Sequence, residues 1–90
     1  MRRDEVMTIG QQVRQFILEN FYVSDATHLA DDDSLITAGV IDSTGILEVI
    51  TFLETEYGIA IADAEVTPDN LETIDRIARF VAQKQPAAGR

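Results

Sequence analysis

Apolar residues recur at three- and four-residue intervals in three separate segments of the chain, and each segment reads as one buried face of a helix. In the first, Val6, Ile9, Val13, Phe16 and Ile17 lie on one side while Gln11, Gln12, Arg14 and Glu19 take the other, which predicts a helix from about Asp4 to Asn20. Gly10 inside it costs roughly 1 kcal/mol relative to alanine, a penalty that an apolar face of this size overrides. In the second, Ile46, Val49, Ile50, Leu53 and Tyr57 share a face and Thr44, Glu48, Thr51 and Thr55 face water. Asp42 stands where an N-cap belongs and Gly58 where a helix of this length would end, so the predicted span is about Asp42 to Tyr57. In the third, Ile74, Ile77, Ala78 and Val81 follow the cap-type residues Asp69, Asn70 and Thr73, which predicts a last helix from about Glu72 to Lys84. Arg76, Arg79 and Lys84 are placed toward its C-terminal end, where positive charge complements the helix dipole.

The connections have other patterns. Residues from about Phe21 to Ile41 lack periodicity and read as a long structured loop, anchored by Leu29, Leu35, Ile36, Val40 and Ile41 while Asp31, Asp32 and Asp33 stay solvated. Ile59 and Ile61 alternate as a strand would, yet no second strand candidate exists to pair with them. Asp63 to Val66 reads instead as a short helical turn stopped by Pro68. The expected architecture is all-α: a small four-helix bundle of three long helices and one short one, with the long loop between helices one and two. Residues 1–90 form a single domain with its core at about 6–84 and a flexible tail at 85–90.

Composition narrows the function. Ninety residues, 46% hydrophobic and 26% charged, suit one globular domain with a modest core and leave no room for an enclosed catalytic cleft. Sixteen acidic against seven basic residues give a net charge of −9, which repels nucleic acid and anionic membranes and favours basic protein surfaces. Neither nucleic acid nor membrane is therefore an expected partner. The absence of cysteine excludes disulfides and thiolate metal sites, so any thiol chemistry has to come from an added group. The charged start from Met1 to Glu5 leads into an amphipathic segment, and the expectation is a cytoplasmic monomer without signal peptide or membrane span.

Candidate chemistry concentrates at Gly39-Val40-Ile41-Asp42-Ser43-Thr44, which runs directly into the second helix. A serine at a helix start is ordinarily a cap, but Asp42 fills that role better and leaves Ser43 in the first turn with its hydroxyl exposed. Neither Ser24 nor Ser34 follows an aspartate at the start of a strongly periodic helix. This run resembles the phosphopantetheine attachment site of acyl and peptidyl carrier proteins, and the resemblance extends over roughly Val6 to Lys84, including the long first loop.

The resemblance implies that Ser43 carries a 4'-phosphopantetheine arm and that Asp42 helps the modifying transferase and its magnesium engage the site. It implies a freestanding acyl or aminoacyl carrier, not an enzyme, that holds intermediates as thioesters in a fatty-acid, polyketide or nonribosomal-peptide type of pathway. The implied partners are a phosphopantetheinyl transferase, an acyl- or aminoacyl-activating ligase, and downstream synthase or transferase enzymes with basic docking patches. Thr44 stands where the family usually has a leucine that contacts partners, a departure that bears on partner choice. The expected docking face is Thr44, Leu47, Glu48 and Thr51, with Glu54 and Glu56 further along to meet basic residues. It is less acidic than that of typical fatty-acid carriers, which points toward aminoacyl metabolism.

Other readings of the same residues fit less well. Asp31, Asp32 and Asp33 begin a calcium-loop spacing that ends at Asp42, but Leu35 and Ile36 stand where a ligand and the obligatory glycine belong. His28 alone is a poor nucleus for a metal site. A hydrolytic triad of Ser43, His28 and an aspartate lacks an oxyanion hole and a substrate pocket in a bundle of this size. The alternative of a different class is an acidic interaction module that is never modified, for which Ser43→Ala would be nearly silent.

Overall fold

The computed structural model describes residues 8–21, 23 and 29–85; the turn expected from Asp4 to Met7, together with Ser24, His28 and the tail beyond Gln85, lies outside them. Helix α1 spans Ile9–Asn20. Its start is set by a capping box and not by the apolar repeat: Thr8 Oγ1 accepts from the Gln11 N–H at 3.1 Å, and Gln11 Oε1 accepts from the Thr8 N–H at 2.8 Å. Thr8 itself is extended (φ −72°, ψ 166°), so the helix expected to run through from Asp4 begins at Ile9.

Helix α2 spans Gly45–Tyr57 and ends where expected, with Gly58 in the left-handed conformation (φ 65°) and its N–H donating to the Glu54 carbonyl at 3.0 Å. A 3₁₀ turn occupies Asp63–Glu65, and helix α3, Pro68–Leu71, follows it. Pro68 therefore begins a helix as well as ending the turn before it, because its fixed φ suits the first helical position and its missing N–H has no partner to lose there. Helix α4 spans Ile74–Lys84, opened by Thr73 Oγ1 accepting from the Arg76 N–H at 3.0 Å. That cap corrects two expectations: the helix starts at Ile74 instead of Glu72, and Arg76 falls in its first turn, where its guanidinium donates to Glu72 and to the Pro68 carbonyl. The described residues contain no strand.

Helix α4 packs against both α1 and α3. Val13 and Ile17 from α1, Val49 and Leu53 from α2, and Ile74 and Ile77 from α4 are fully buried and close one core. Each such side chain contributes roughly 1.5–3 kcal/mol. A Cβ at Gly10 would make only an ordinary contact, 3.8 Å from the Ala78 Cβ, so the packing of α1 on α4 does not itself require glycine there. Gln12 does not simply face water: it is half-buried, and its Oε1 accepts from the Tyr57 hydroxyl at 2.6 Å, joining α1 to the end of α2. Burial, and next the Glu56 carboxylate, push the Tyr57 hydroxyl up to about 12.

The long loop behaves as an anchored strap. Leu29, Leu35 and Ile41 are buried and Val40 is half-buried, as the sequence suggests, but Ile36 is 50% exposed. The reason is the tight turn at 34–40, where the Val40 N–H returns to the Leu35 carbonyl at 3.0 Å and Gly39 takes φ 77°; with Leu35 turned inward, its neighbour points out. The aspartates do more than meet water. Asp31 pairs with Arg14, and half-buried Asp33 accepts from the Ala30 N–H at 2.8 Å.

Candidate functional site: the start of helix α2

Backbone bonds from the α3–α4 junction hold the strap that leads to Ser43. The Leu35 N–H donates to the Glu72 carbonyl, and the Asp75 N–H donates to the Asp31 carbonyl, both at 2.9 Å. The chain then turns inward at Ile41, 2% exposed, and emerges at Asp42. Asp42 Oδ1 accepts from the Gly45 N–H at 2.7 Å and the Asp42 carbonyl accepts from the Ile46 N–H at 3.0 Å, which is N-cap geometry. Ser43 and Thr44 thus form a first turn ahead of the regular helix. With the cap supplied by Asp42, the exposed Ser43 side chain has no hydrogen-bond partner among the described residues.

Two residues at this end carry a role that the periodicity does not reveal. Gly45 is buried, and a Cβ built on it would lie 2.7 Å from Cε1 of Phe21 and 3.3 Å from Asp42 Oδ1. Glycine lets the Phe21 ring lie against the first turn of α2. The sequence signal is a glycine in the first turn of a helix, a position where alanine would otherwise be favoured.

An open cleft of about 640 Å³ runs beside Ser43 between the strap, α2 and α3. Ile36, Ile46, Val66, Pro68 and Leu71 give it an apolar lining, with Asp42 and Ser43 at its edge. The outward turn of Ile36 is what supplies one wall. On the outer surface of α2, Thr44, Leu47, Glu48 and Thr51 are all exposed, Leu47 by 62%, and the Thr51 hydroxyl donates back to the Leu47 carbonyl at 3.0 Å. Glu54 does not belong with them. Its carboxylate accepts from the Ile61 N–H at 2.8 Å and holds the segment after α2, while Glu56 is exposed. No group of three metal-ligating side chains forms among the described residues, and none of their helices is long and apolar enough to cross a membrane.

No family model matches the sequence. Relatives are nonetheless clear: over 81 residues, 90% of this chain and the full length of each relative, it is 31% identical to the D-alanyl carrier proteins of Streptococcus pyogenes serotype M5 (strain Manfredo), serotype M49 (strain NZ131) and serotype M1. This chain belongs to the carrier-protein family. As a carrier protein it is not an enzyme. Membership implies a phosphopantetheine arm and partner enzymes that attach and use it. The residues at the start of α2 fit such a group, since an exposed, unpartnered hydroxyl stands beside an open cleft.

Proposed function

We propose that Ser43 carries the phosphopantetheine arm of this carrier and that the cargo is an aminoacyl group, D-alanine in the first instance. The observation that supports the site most directly is the free Ser43 hydroxyl at an independently capped helix start. In the transferase, Ser43 Oγ attacks the coenzyme A pyrophosphate. The Oγ–P bond forms, the P–O bond to 3',5'-ADP breaks, and the hydroxyl proton passes to a base on the transferase. The phosphodiester then lies at the N-terminal end of α2, where the helix dipole favours negative charge. Asp42 keeps Oδ1 on the Gly45 N–H and presents Oδ2 to the transferase and its magnesium. Once attached, the arm supplies the thiol that a chain without cysteine lacks. The D-alanyl assignment rests on the relatives named above, and the sparsely acidic face of Thr44, Leu47, Glu48 and Thr51 agrees with it. That face is the proposed docking surface for the ligase and for the enzyme that unloads the carrier. A coenzyme A-derived arm supports a cytoplasmic location for the protein.

Loading tests the cargo. The phosphopantetheinylated protein is incubated with ATP and a D-alanine-activating ligase, and in parallel with an acyl ligase and a fatty acid. The expected result is a D-alanyl adduct, seen by intact mass and released by hydroxylamine, with Ser43→Ala inert. Loading by the fatty acid alone would overturn the aminoacyl assignment.

A further inference from the structure

A thioester of the kind proposed above is an acylating agent held on its own protein, and the side chains that consume it are thiols and amines. The chain has no cysteine, and six of its seven basic residues are arginine, whose guanidinium stays charged and resists acylation. Lys84 is the one side-chain amine in the sequence. It stands near the place where the arm would emerge: its ion-pair partner Glu65 directly precedes Val66 and Thr67, which line the cleft beside Ser43.

That amine is closely held. Lys84 Nζ donates to both oxygens of the Glu65 carboxylate, at 2.9 and 3.1 Å, and lies 5.9 Å from the centroid of the Phe80 ring. The two side chains of the pair are only 27% and 31% exposed. The carboxylate is fixed in its turn, since Glu65 Oε1 accepts from the Ala62 N–H at 2.9 Å and the Glu65 carbonyl accepts from the Asn70 side-chain amide at 2.9 Å. A lysine bound in this way keeps its protons on the carboxylate and loses the sweep of its flexible stem.

We infer that the Glu65 clasp keeps Lys84 from intercepting the carrier's own thioester, and that Lys84 becomes the site of self-acylation once the clasp is opened. The inference rests on the carrier reading and adds to it a device that preserves the cargo. In the side reaction Nζ, having released one proton to water, attacks the thioester carbonyl. The C–N bond forms, the C–S bond breaks, and the second proton leaves with the sulfur as the free thiol of the arm. The product is an amide on an uncharged side chain, so the cargo and the ion pair are lost together. Tethering sharpens the hazard, because an arm on the same chain presents its thioester at about millimolar effective concentration.

Two assays test the clasp. In the first, the full chain without its arm is treated with the alanyl thioester of N-acetylcysteamine, and hydroxylamine-resistant adducts are followed by intact mass and peptide mapping, with the terminal α-amine as internal reference. Glu65→Gln retains an acceptor for the Ala62 N–H and is expected to acylate Lys84 about fivefold faster than wild type, the scale of a lost ion pair. In the second, the phosphopantetheinylated, alanyl-loaded Glu65→Gln protein is expected to move its cargo to Lys84 at a rate independent of protein concentration, while wild type keeps its thioester and Glu65→Gln/Lys84→Arg regains the wild-type lifetime. Circular dichroism shows that each variant is folded. The first assay needs no arm, so it decides the clasp even where Ser43 takes none, and a failure of the carrier reading is told apart. Equal acylation of Lys84 in wild type and Glu65→Gln would overturn the clasp, and a loaded Glu65→Gln protein without amide on Lys84 would overturn its role toward the carrier's own cargo.

Discussion

The free hydroxyl of Ser43 depends on two neighbours, and each can be tested separately. Asp42 caps the helix through Oδ1, so Asp42→Ala removes a bond to a backbone N–H and costs about 1 kcal/mol in urea unfolding. Asn caps nearly as well as Asp. Asp42→Asn therefore keeps the stability to within a few tenths of a kcal/mol, yet slows phosphopantetheinyl transfer if the carboxylate charge engages the magnesium. Gly45→Ala drives a methyl to 2.7 Å from the Phe21 ring. Alanine gains up to about 1 kcal/mol of helix propensity, but overpacking of about 1–3 kcal/mol outweighs it, and the expected outcome is a net loss of stability. Adding Phe21→Leu to that variant relieves the contact and recovers part of the loss. If Gly45→Ala instead raised the unfolding midpoint, the close packing of Phe21 would not be holding the first turn.

At the scale of elements, the periodic faces were legible and the helix starts were not. Val13, Ile17, Val49, Leu53, Ile74 and Ile77 fall on the expected buried faces because burial of an apolar stripe depends only on spacing. The starts of α1 and α4 depend on single side-chain bonds, from Thr8 and from Thr73, and these override a periodicity that continues upstream. Thr8 and Gln11 stand at capping-box spacing, a signal that the periodic reading from Asp4 passed over; the Phe21 and Gly45 contact has no local signal, since it joins residues far apart in sequence. The site residues stood out through the run Asp42-Ser43 ahead of a helix, whereas the cleft depends on the outward turn of Ile36, set by the hydrogen bonds of a turn without periodicity. Thr8→Ala is expected to cost about 1 kcal/mol, read by urea unfolding, without changing modification of Ser43.

At the scale of the whole molecule, −9 of net charge works against compaction, and two of the described cations join elements. Arg14 ties α1 to the strap through Asp31, and Lys84 ties the end of α4 to Glu65 at 2.9 Å. The Ala62 N–H first, and then Lys84, hold the Glu65 carboxyl below its ordinary range. A lowered folded-state pKa means that the unfolded chain takes up the proton first. The stability contributed by Glu65 is therefore complete above its ordinary titration range and is lost as pH falls through the lower folded-state value. Glu65→Gln should flatten this part of the acid unfolding curve, measured as the difference in stability between wild type and variant from neutral to acid pH; identical pH slopes would contradict it. Tyr57 works in the opposite sense: its stabilising, protonated form is complete below pH 10.0 and is lost as pH rises toward about 12, a loss that Tyr57→Phe should remove.

These scales meet at one hydroxyl, presented by a cap, a glycine and a strap on a bundle that does no chemistry of its own. Intact mass after incubation with coenzyme A, magnesium and a broad-specificity phosphopantetheinyl transferase, followed by peptide mapping, tests that claim most directly. A single phosphopantetheinyl addition on the peptide that contains Ser43 is expected, and none on folded Ser43→Ala. An unmodified mass, with the protein folded and a control carrier modified in parallel, or an addition that maps to Ser24 or Ser34, would contradict it.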